Sequence, residues 1–111
     1  MVATIRCTGQ LIDDHMIQEI GKKMANAEFL LLEIDKSAVT HIPNNTFSDS
    51  IIENIYITNN SRLISIGSHA FKKSPALQSL NVNYNPKLSN PEVFTLAKYL
   101  EPSETVSFIG N

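Results

Sequence analysis

The feature that constrains this chain most is a short pattern of apolar residues that returns five times. The pattern is apolar-x-x-apolar-x-apolar-x-x-Asn, with a polar stand-in at some of the Asn positions and Ser103 at one apolar position. Its copies begin at residues 2, 29, 52, 77 and 103, so neighbouring copies are 23 to 27 residues apart. A fixed spacing in this range is typical of folds that repeat one structural unit. We therefore expect a single domain over residues 1–111.

The middle of the pattern, x-apolar-x-apolar-x, predicts a β-strand whose alternate side chains point into a core. The five expected strands lie near residues 3–8, 30–35, 53–58, 78–83 and 104–109. An Asn after each strand can bond neighbouring backbone through both its C=O and its NH₂. We therefore expect a ladder of side chains formed by Gln10, Ser37, Asn60, Asn85 and Asn111, less regular at Gln10 and Ser37.

The segments between the strands predict two helices. Residues 13–24 place Met16, Ile17, Ile20 and Met24 at the spacing of one helix face, and Asp13 or Asp14 can cap the start. Residues 90–100 begin with Asn90, expected as the N-cap, followed by Pro91 in the first helical position. The inward face of this second helix is expected to carry Val93, Phe94, Ala97 and Leu100.

The two middle connections are shorter and resemble each other. Each holds an Ile and a Phe five residues apart, Ile42 with Phe47 and Ile66 with Phe71. We expect a single helical turn around each pair.

Residues 63–77, which contain Ile66-x-x-x-Ala70-Phe71 and then Leu77, resemble the leucine-rich repeat of the BspA type. Residues 39–50 resemble a degenerate copy with Phe47 in the Phe position. The first and fourth copies, with longer helices, are similar to the ribonuclease-inhibitor type. The resemblance implies an α/β fold, a short solenoid with about five parallel strands on a concave face and helices and short turns on the convex face.

The same resemblance implies a protein-recognition scaffold without shared catalytic residues, so we expect a protein–protein interaction module and not an enzyme. The x positions of the strands would form the binding surface. Tyr and Arg are frequent anchors in interfaces, although a strand can also carry them as ordinary solvated residues. The predicted partner-binding residues are Arg6, Glu33, Asp35, Tyr56, Thr58, Asn81 and Asn83.

Composition limits the classes of partner that we expect the protein to bind. A net charge of −2 gives no general attraction to nucleic acid or to anionic membranes, and no apolar run approaches the length of a membrane span. No signal peptide precedes the first strand, and the single Cys7 favours a reducing compartment, so we expect a cytoplasmic protein. The three histidines are 26 and 28 residues apart, which the repeat explains without a metal. No metal or cofactor is expected, and the partner is another protein.

Two alternatives remain open. The chain starts directly with a strand and stops at the Asn of the fifth, so a structural subunit docked through an open end, or self-association through that end, is also consistent with the sequence. The strand–helix–strand of residues 3–37 would also fit a small α/β regulatory domain resembling anti-sigma-factor antagonists. That fold requires a second long helix after Ile42, which Pro43-Asn44-Asn45 disfavours.

Overall fold

The computed structural model describes residues 3–111, so the first apolar position of the pattern, Val2, lies outside the described residues. Over this range the α/β class is confirmed. The elements in chain order are β1 (Ala3–Thr8), α1 (Asp14–Lys23), β2 (Glu28–Asp35), β3 (His41–Ile42), β4 (Ile51–Thr58), β5 (Ser65–Ile66), β6 (Ser79–Asn83), α2 (Asn90–Leu100) and β7 (Thr105–Ser107). Compared with the expected bounds, β2 and β4 begin two residues earlier and β7 is shorter.

The five strands that carry the repeated apolar pattern form one parallel sheet in the order β1-β2-β4-β6-β7. Equivalent positions of the sequence pattern pair with each other across neighbouring strands. Ile5 pairs with Leu32, Leu32 with Ile55, Ile55 with Leu80, and Leu80 with Val106. The predicted succession of neighbouring parallel strands is therefore confirmed.

A second layer covers one face of this sheet. Strand β3 pairs in parallel with β5, α1 contacts β3, and α2 contacts β5, which gives the order α1-β3-β5-α2. Phe47 forms an isolated bridge with Phe71, and their rings stack at a centroid distance of 5.4 Å. The single helical turns expected here are therefore wrong: the chain makes a two-residue strand and a turn instead. The helix after Ile42 that a regulatory domain would require is absent from residues 43–50.

Carboxylates in the first turns of both helices bond to the edges of the small sheet. Asp14 accepts hydrogen bonds from the backbone N–H and the hydroxyl of Thr40 and, at 3.4 Å, from the N–H of His41. At the other edge, Glu92 accepts from the N–H of Ile66 at 3.1 Å. Each carboxylate takes the place of a neighbouring strand, so the helices are fixed against the small sheet by specific bonds.

The hydrophobic core lies between the two layers. The largest wholly buried side chains include Leu32, Ile55 and Leu80 from the long strands, Ile17 from α1 and Leu96 from α2. Burial of this continuous apolar cluster is the main favourable term in folding.

Three expectations about the helices need correction. Ser89, and not Asn90, is the N-cap of α2, and its hydroxyl accepts from the N–H of Glu92 at 3.4 Å. Phe94 is 59% exposed because Val93, Leu96 and Leu100 define the inward face at the i, i+3, i+7 spacing. Met16 of α1 is also exposed, at 41%. The cap of α1 is Asp13, which accepts from the N–H of Met16 at 2.9 Å.

An asparagine ladder, formed by Ser37, Asn60, Asn85 and Asn111, runs across the ends of the strands. Asn60 accepts from the N–H of Ser37 at 3.0 Å and donates to the C=O of Ile34 at 3.1 Å. Asn85 makes the same two bonds one strand further along, to the Asn60 N–H and the Ile57 C=O. Asn111 makes them after the next strand, to the Asn85 N–H and the Val82 C=O. The backbone groups that parallel strands leave unpaired are thereby satisfied. Gln10 departs from the ladder, because its amide donates to the C=O of Lys36.

The residue before Gln10 and the residue before each member of the ladder have a positive φ. These left-handed residues are Gly9, Lys36, Asn59, Tyr84 and Gly110, with φ between 53° and 104°. The left-handed conformation turns the chain out of the strand and directs the following side chain along the ladder. Only Gly adopts it without steric cost, so Lys36 and Tyr84 are held there by the bonds around them.

Candidate functional site

The open face is the side of the five-stranded sheet opposite the core. Its side chains alternate with core positions along β1, β2, β4, β6 and β7. All seven predicted partner-binding residues lie on this face. Arg6, Glu33, Tyr56 and Asn81 form its central row in strand register, and Asp35, Thr58 and Asn83 form the row beside it.

A depression of about 440 Å³ lies on the open face across β1, β2 and β4. Its most exposed apolar contributions are Leu30, 47% exposed, and Tyr56, 39% exposed. The residues that line it are Thr4, Arg6, Leu30, Leu31, Glu33, Asn54 and Tyr56. Three predicted residues, Arg6, Glu33 and Tyr56, are therefore brought together at one concave site.

Leu30 is a site residue that the sequence interpretation missed. It stands between Phe29 and Leu32 in an apolar run of strand length, and it is not among the predicted partner-binding residues. The signal was present, because Leu30 and Leu31 occupy x positions where the other copies carry residues such as Glu53 and Asn54. An apolar residue in a position that the pattern turns away from the core is a surface feature that needs a separate explanation.

The charges at the depression are of opposite sign. The Nε of Arg6 lies 3.8 Å from Glu33 Oε1, and the Arg6 side chain is 66% exposed. That distance is too long for a hydrogen bond, and exposed pairs of this kind contribute little to stability. The Arg6 guanidinium therefore keeps its N–H donors available at the rim of the depression.

The row beside the depression is occupied by bonds within the chain. Asp35 Oδ1 accepts from the Thr58 hydroxyl at 2.8 Å and from the Asn59 amide at 3.0 Å. Asn83 Oδ1 accepts from the Ser107 hydroxyl at 3.0 Å and from the N–H of Ile109 at 2.8 Å. These side chains stiffen the sheet across its strands, so they are less suited to direct contact with a partner than the central row.

Asn81 is buried on the open face, as is Ser79 two residues earlier, but the two differ in their bonding. Asn81 is 9% exposed and its Nδ2 is buried without a hydrogen-bond partner among residues 3–111, whereas the Ser79 hydroxyl donates to Asn54 Oδ1. Asn81 pairs in register with Tyr56 on one side and with Ser107 on the other. A buried donor without an acceptor lowers the stability of the folded state, so the Asn81 Nδ2 is an unsatisfied hydrogen-bond donor.

Cys7 points to the opposite side, into the core, and is 1% exposed. Burial, reinforced by the nearby charge of Glu33, raises the pKa of the Cys7 thiol to about 11. The thiol therefore stays protonated near neutral pH. Since the thiolate is the nucleophile and the metal ligand, Cys7 acts as a small apolar core residue.

Neither helix within residues 3–111 is long and apolar enough to cross a membrane. Comparison of the chain with protein-family models, with curated proteins and with solved structures found no match. The central row of the open face combines the exposed ring of Tyr56, the exposed guanidinium of Arg6 in its loose ion pair with Glu33, and the Asn81 amide, whose Nδ2 has no partner in the described part of the chain.

Proposed function

We propose that the chain is a short leucine-rich-repeat solenoid and that it acts as a protein–protein interaction module, without catalysis, through the open face of its sheet. Two observations support the repeat assignment. Equivalent pattern positions pair across successive strands, and Asn60, Asn85 and Asn111 make the same pair of bonds to the preceding strand. Both follow if the successive units stack on one another.

The observation that carries the binding proposal is the exposed Tyr56 and Leu30 at a depression in a rigid sheet. An aromatic side chain in a concave surface can bury much apolar area for a small loss of conformational entropy. Cross-strand bonds such as Ser79 to Asn54, at 2.7 Å, hold the surroundings in place. A surface that is ordered before binding loses less entropy when a partner docks.

The experiment is affinity capture from the native source with matched variants. Tyr56→Ala removes the central ring of the open face. Ile64→Ala removes a comparably exposed apolar side chain, 50% exposed, just before β5 in the second layer. We expect a partner that is retained by the wild type and by Ile64→Ala and lost with Tyr56→Ala. A partner lost with Ile64→Ala and retained by Tyr56→Ala would contradict binding through the open face.

A second candidate function is that of a structural subunit docked at the β7 end of the sheet. Val106 is 43% exposed, whereas its equivalents Leu32, Ile55 and Leu80 are buried. An unpaired strand edge beside exposed apolar surface is a template for another chain. Hydrogen exchange distinguishes this candidate: protection of residues 105–107 only in the complex would favour it, and protection centred on Tyr56 would favour the open face.

A further inference from the structure

Asn81 and Asn54 lie on the same face of the sheet, and only one of them is fully bonded. Asn54 donates to the C=O of Leu30 at 2.9 Å and accepts from the Ser79 hydroxyl. Asn81 is the more deeply buried of the two, yet its Nδ2 has no partner within residues 3–111. A buried amide without a partner is a cost that burial by itself does not explain, and it points to an acceptor from outside the chain.

The charges on the open face limit the class of ligand that can carry this acceptor. Arg6 and Glu33 face each other, and Asp35 already accepts two hydrogen bonds, so neither sign of charge dominates the central row. A strongly charged ligand would gain little here. Among the residues that line the depression beside the amide, Leu30, Leu31 and Tyr56 suit an apolar side chain.

The distances suit an extended peptide. Adjacent strands lie about 4.8 Å apart, so Asn81 is one strand spacing from Tyr56 and about 10 Å from Glu33 at the depression. About three residues of extended chain, at about 3.3 Å each, cover that distance. A primary amide matches a peptide group, because it can donate to a backbone C=O and accept from a backbone N–H.

We propose, on the basis of the function proposed above, that the open face binds an extended, uncharged peptide segment of the partner. A large apolar side chain of that segment fills the depression beside Leu30 and Tyr56, and a backbone carbonyl of the segment accepts from Asn81 Nδ2. Because Nδ2 is buried in the free chain, binding requires a rotation about the terminal side-chain bond of Asn81, which is soft in asparagine, that brings Nδ2 to the open face.

This assignment predicts opposite effects of an Asn81 substitution on the stability of the free protein and on its affinity for the peptide. Asn81→Val removes an unpartnered donor and places a β-branched residue in a strand, so the free protein becomes more stable, while binding becomes weaker. Asn54→Val is the control for stability alone, because it breaks two bonds within the chain and lowers the stability of the free protein, while Asn54 itself lines the depression.

The test uses a phage-displayed library of random linear seven-residue peptides selected on the immobilised chain. The enriched peptides are then titrated calorimetrically into wild type, Asn81→Val and Tyr56→Ala. We expect the enriched peptides to share a large aliphatic or aromatic residue. Their affinity should fall at least about fivefold with Asn81→Val while the urea midpoint of that variant rises.

The outcomes separate the two proposals. Peptides that lose affinity for Tyr56→Ala and keep it for Asn81→Val would overturn the role of Asn81 and leave the open face as the binding surface. Peptides that bind all three proteins equally would contradict both proposals. A lower urea midpoint for Asn81→Val, or a library that enriches no peptide, would also overturn this inference, and the affinity capture would still test the open face independently.

Discussion

The two faces of the five-stranded sheet are built from the same strands and follow different rules. On the inner face, aliphatic side chains such as Leu80 are wholly buried, and the asparagine ladder satisfies the backbone at the strand ends. On the open face, the Asn81 amide has a donor without an acceptor in the described part of the chain, the ion pair of Arg6 with Glu33 is loose, and large apolar groups are exposed. The difference indicates that stability resides in the inner face, while the open face is available for contact with another molecule.

The largest expected effect tests the inner face. Leu80→Ala leaves a cavity at a position with 0% exposure and should lower the free energy of unfolding by about 2 to 5 kcal/mol. Val106→Ala is the control in the equivalent position of the next strand, 43% exposed, and should cost less than about 1 kcal/mol. Urea denaturation measures both, and equal costs would remove the distinction between the core and the β7 end.

The second largest loss of stability is expected for substitutions in the asparagine ladder. Asn60→Ala leaves the Ser37 N–H and the Ile34 C=O without their partners in a buried setting, at a cost of about 2 to 4 kcal/mol. Gln10→Ala removes one exposed hydrogen bond to Lys36 and should cost less than about 1 kcal/mol. Thermal denaturation of the two variants gives the comparison. A small loss for Asn60→Ala would mean that water replaces the ladder.

A smaller effect, dependent on pH, concerns the second layer. Burial by itself would raise the pKa of Asp14, but hydrogen bonds from Thr40 and His41 outweigh it and lower the pKa below 3.8. The folded state therefore favours the ionised carboxylate. Its contribution is fully present above the ordinary pKa near 3.8 and is lost as the pH falls through the lower value of the folded state.

Asp14→Asn should accordingly lower stability by about 1 kcal/mol at pH 7, a modest value because the carboxylate is partly exposed, and by less as the pH approaches 3. Asp49→Asn is the control, since the exposed Asp49 carboxylate makes no hydrogen bond within residues 3–111. Urea titrations at pH 7 and pH 3 measure the difference. A loss that is the same at both pH values would contradict the role of the charge.

The smallest effect is expected on the open face. Arg6→Ala removes a loose, exposed ion pair and should change the free energy of unfolding by no more than about 0.5 kcal/mol. A double-mutant cycle with Glu33→Ala should give a coupling energy of similar size. Coupling above about 1 kcal/mol would show that the open face contributes to stability as the inner face does.

The sequence predicted the parts of the fold that come from alternating apolar residues. Leu32, Ile55 and Leu80 each belong to an apolar pair two residues apart, and a period of two identifies a strand without tertiary information. The register followed because equivalent residues of the pattern pair with one another. The ladder from Asn60 to Asn111 followed from the same alignment.

What the sequence did not predict depends on contacts between distant segments. The two-residue strands at His41–Ile42 and Ser65–Ile66 are too short to show any periodicity and form only because each pairs with the other. Phe94 was placed inward from helical spacing alone, whereas the neighbours of α2 select the face that carries Leu96. All predicted open-face residues lie on that face, but the missing partner of Asn81 became apparent only from the arrangement of its neighbours.

The left-handed residues that follow the long strands have a further consequence. Lys36 adopts this conformation with an exposed side chain, whereas the ring of Tyr84 lies against Gly110. Substitution of Lys36 to Gly or Asn relieves a steric cost of about 1 kcal/mol, whereas Val or Ile increases it. A stabilising substitution at such a surface position would offset the loss of stability caused by substitutions elsewhere that alter what the protein binds.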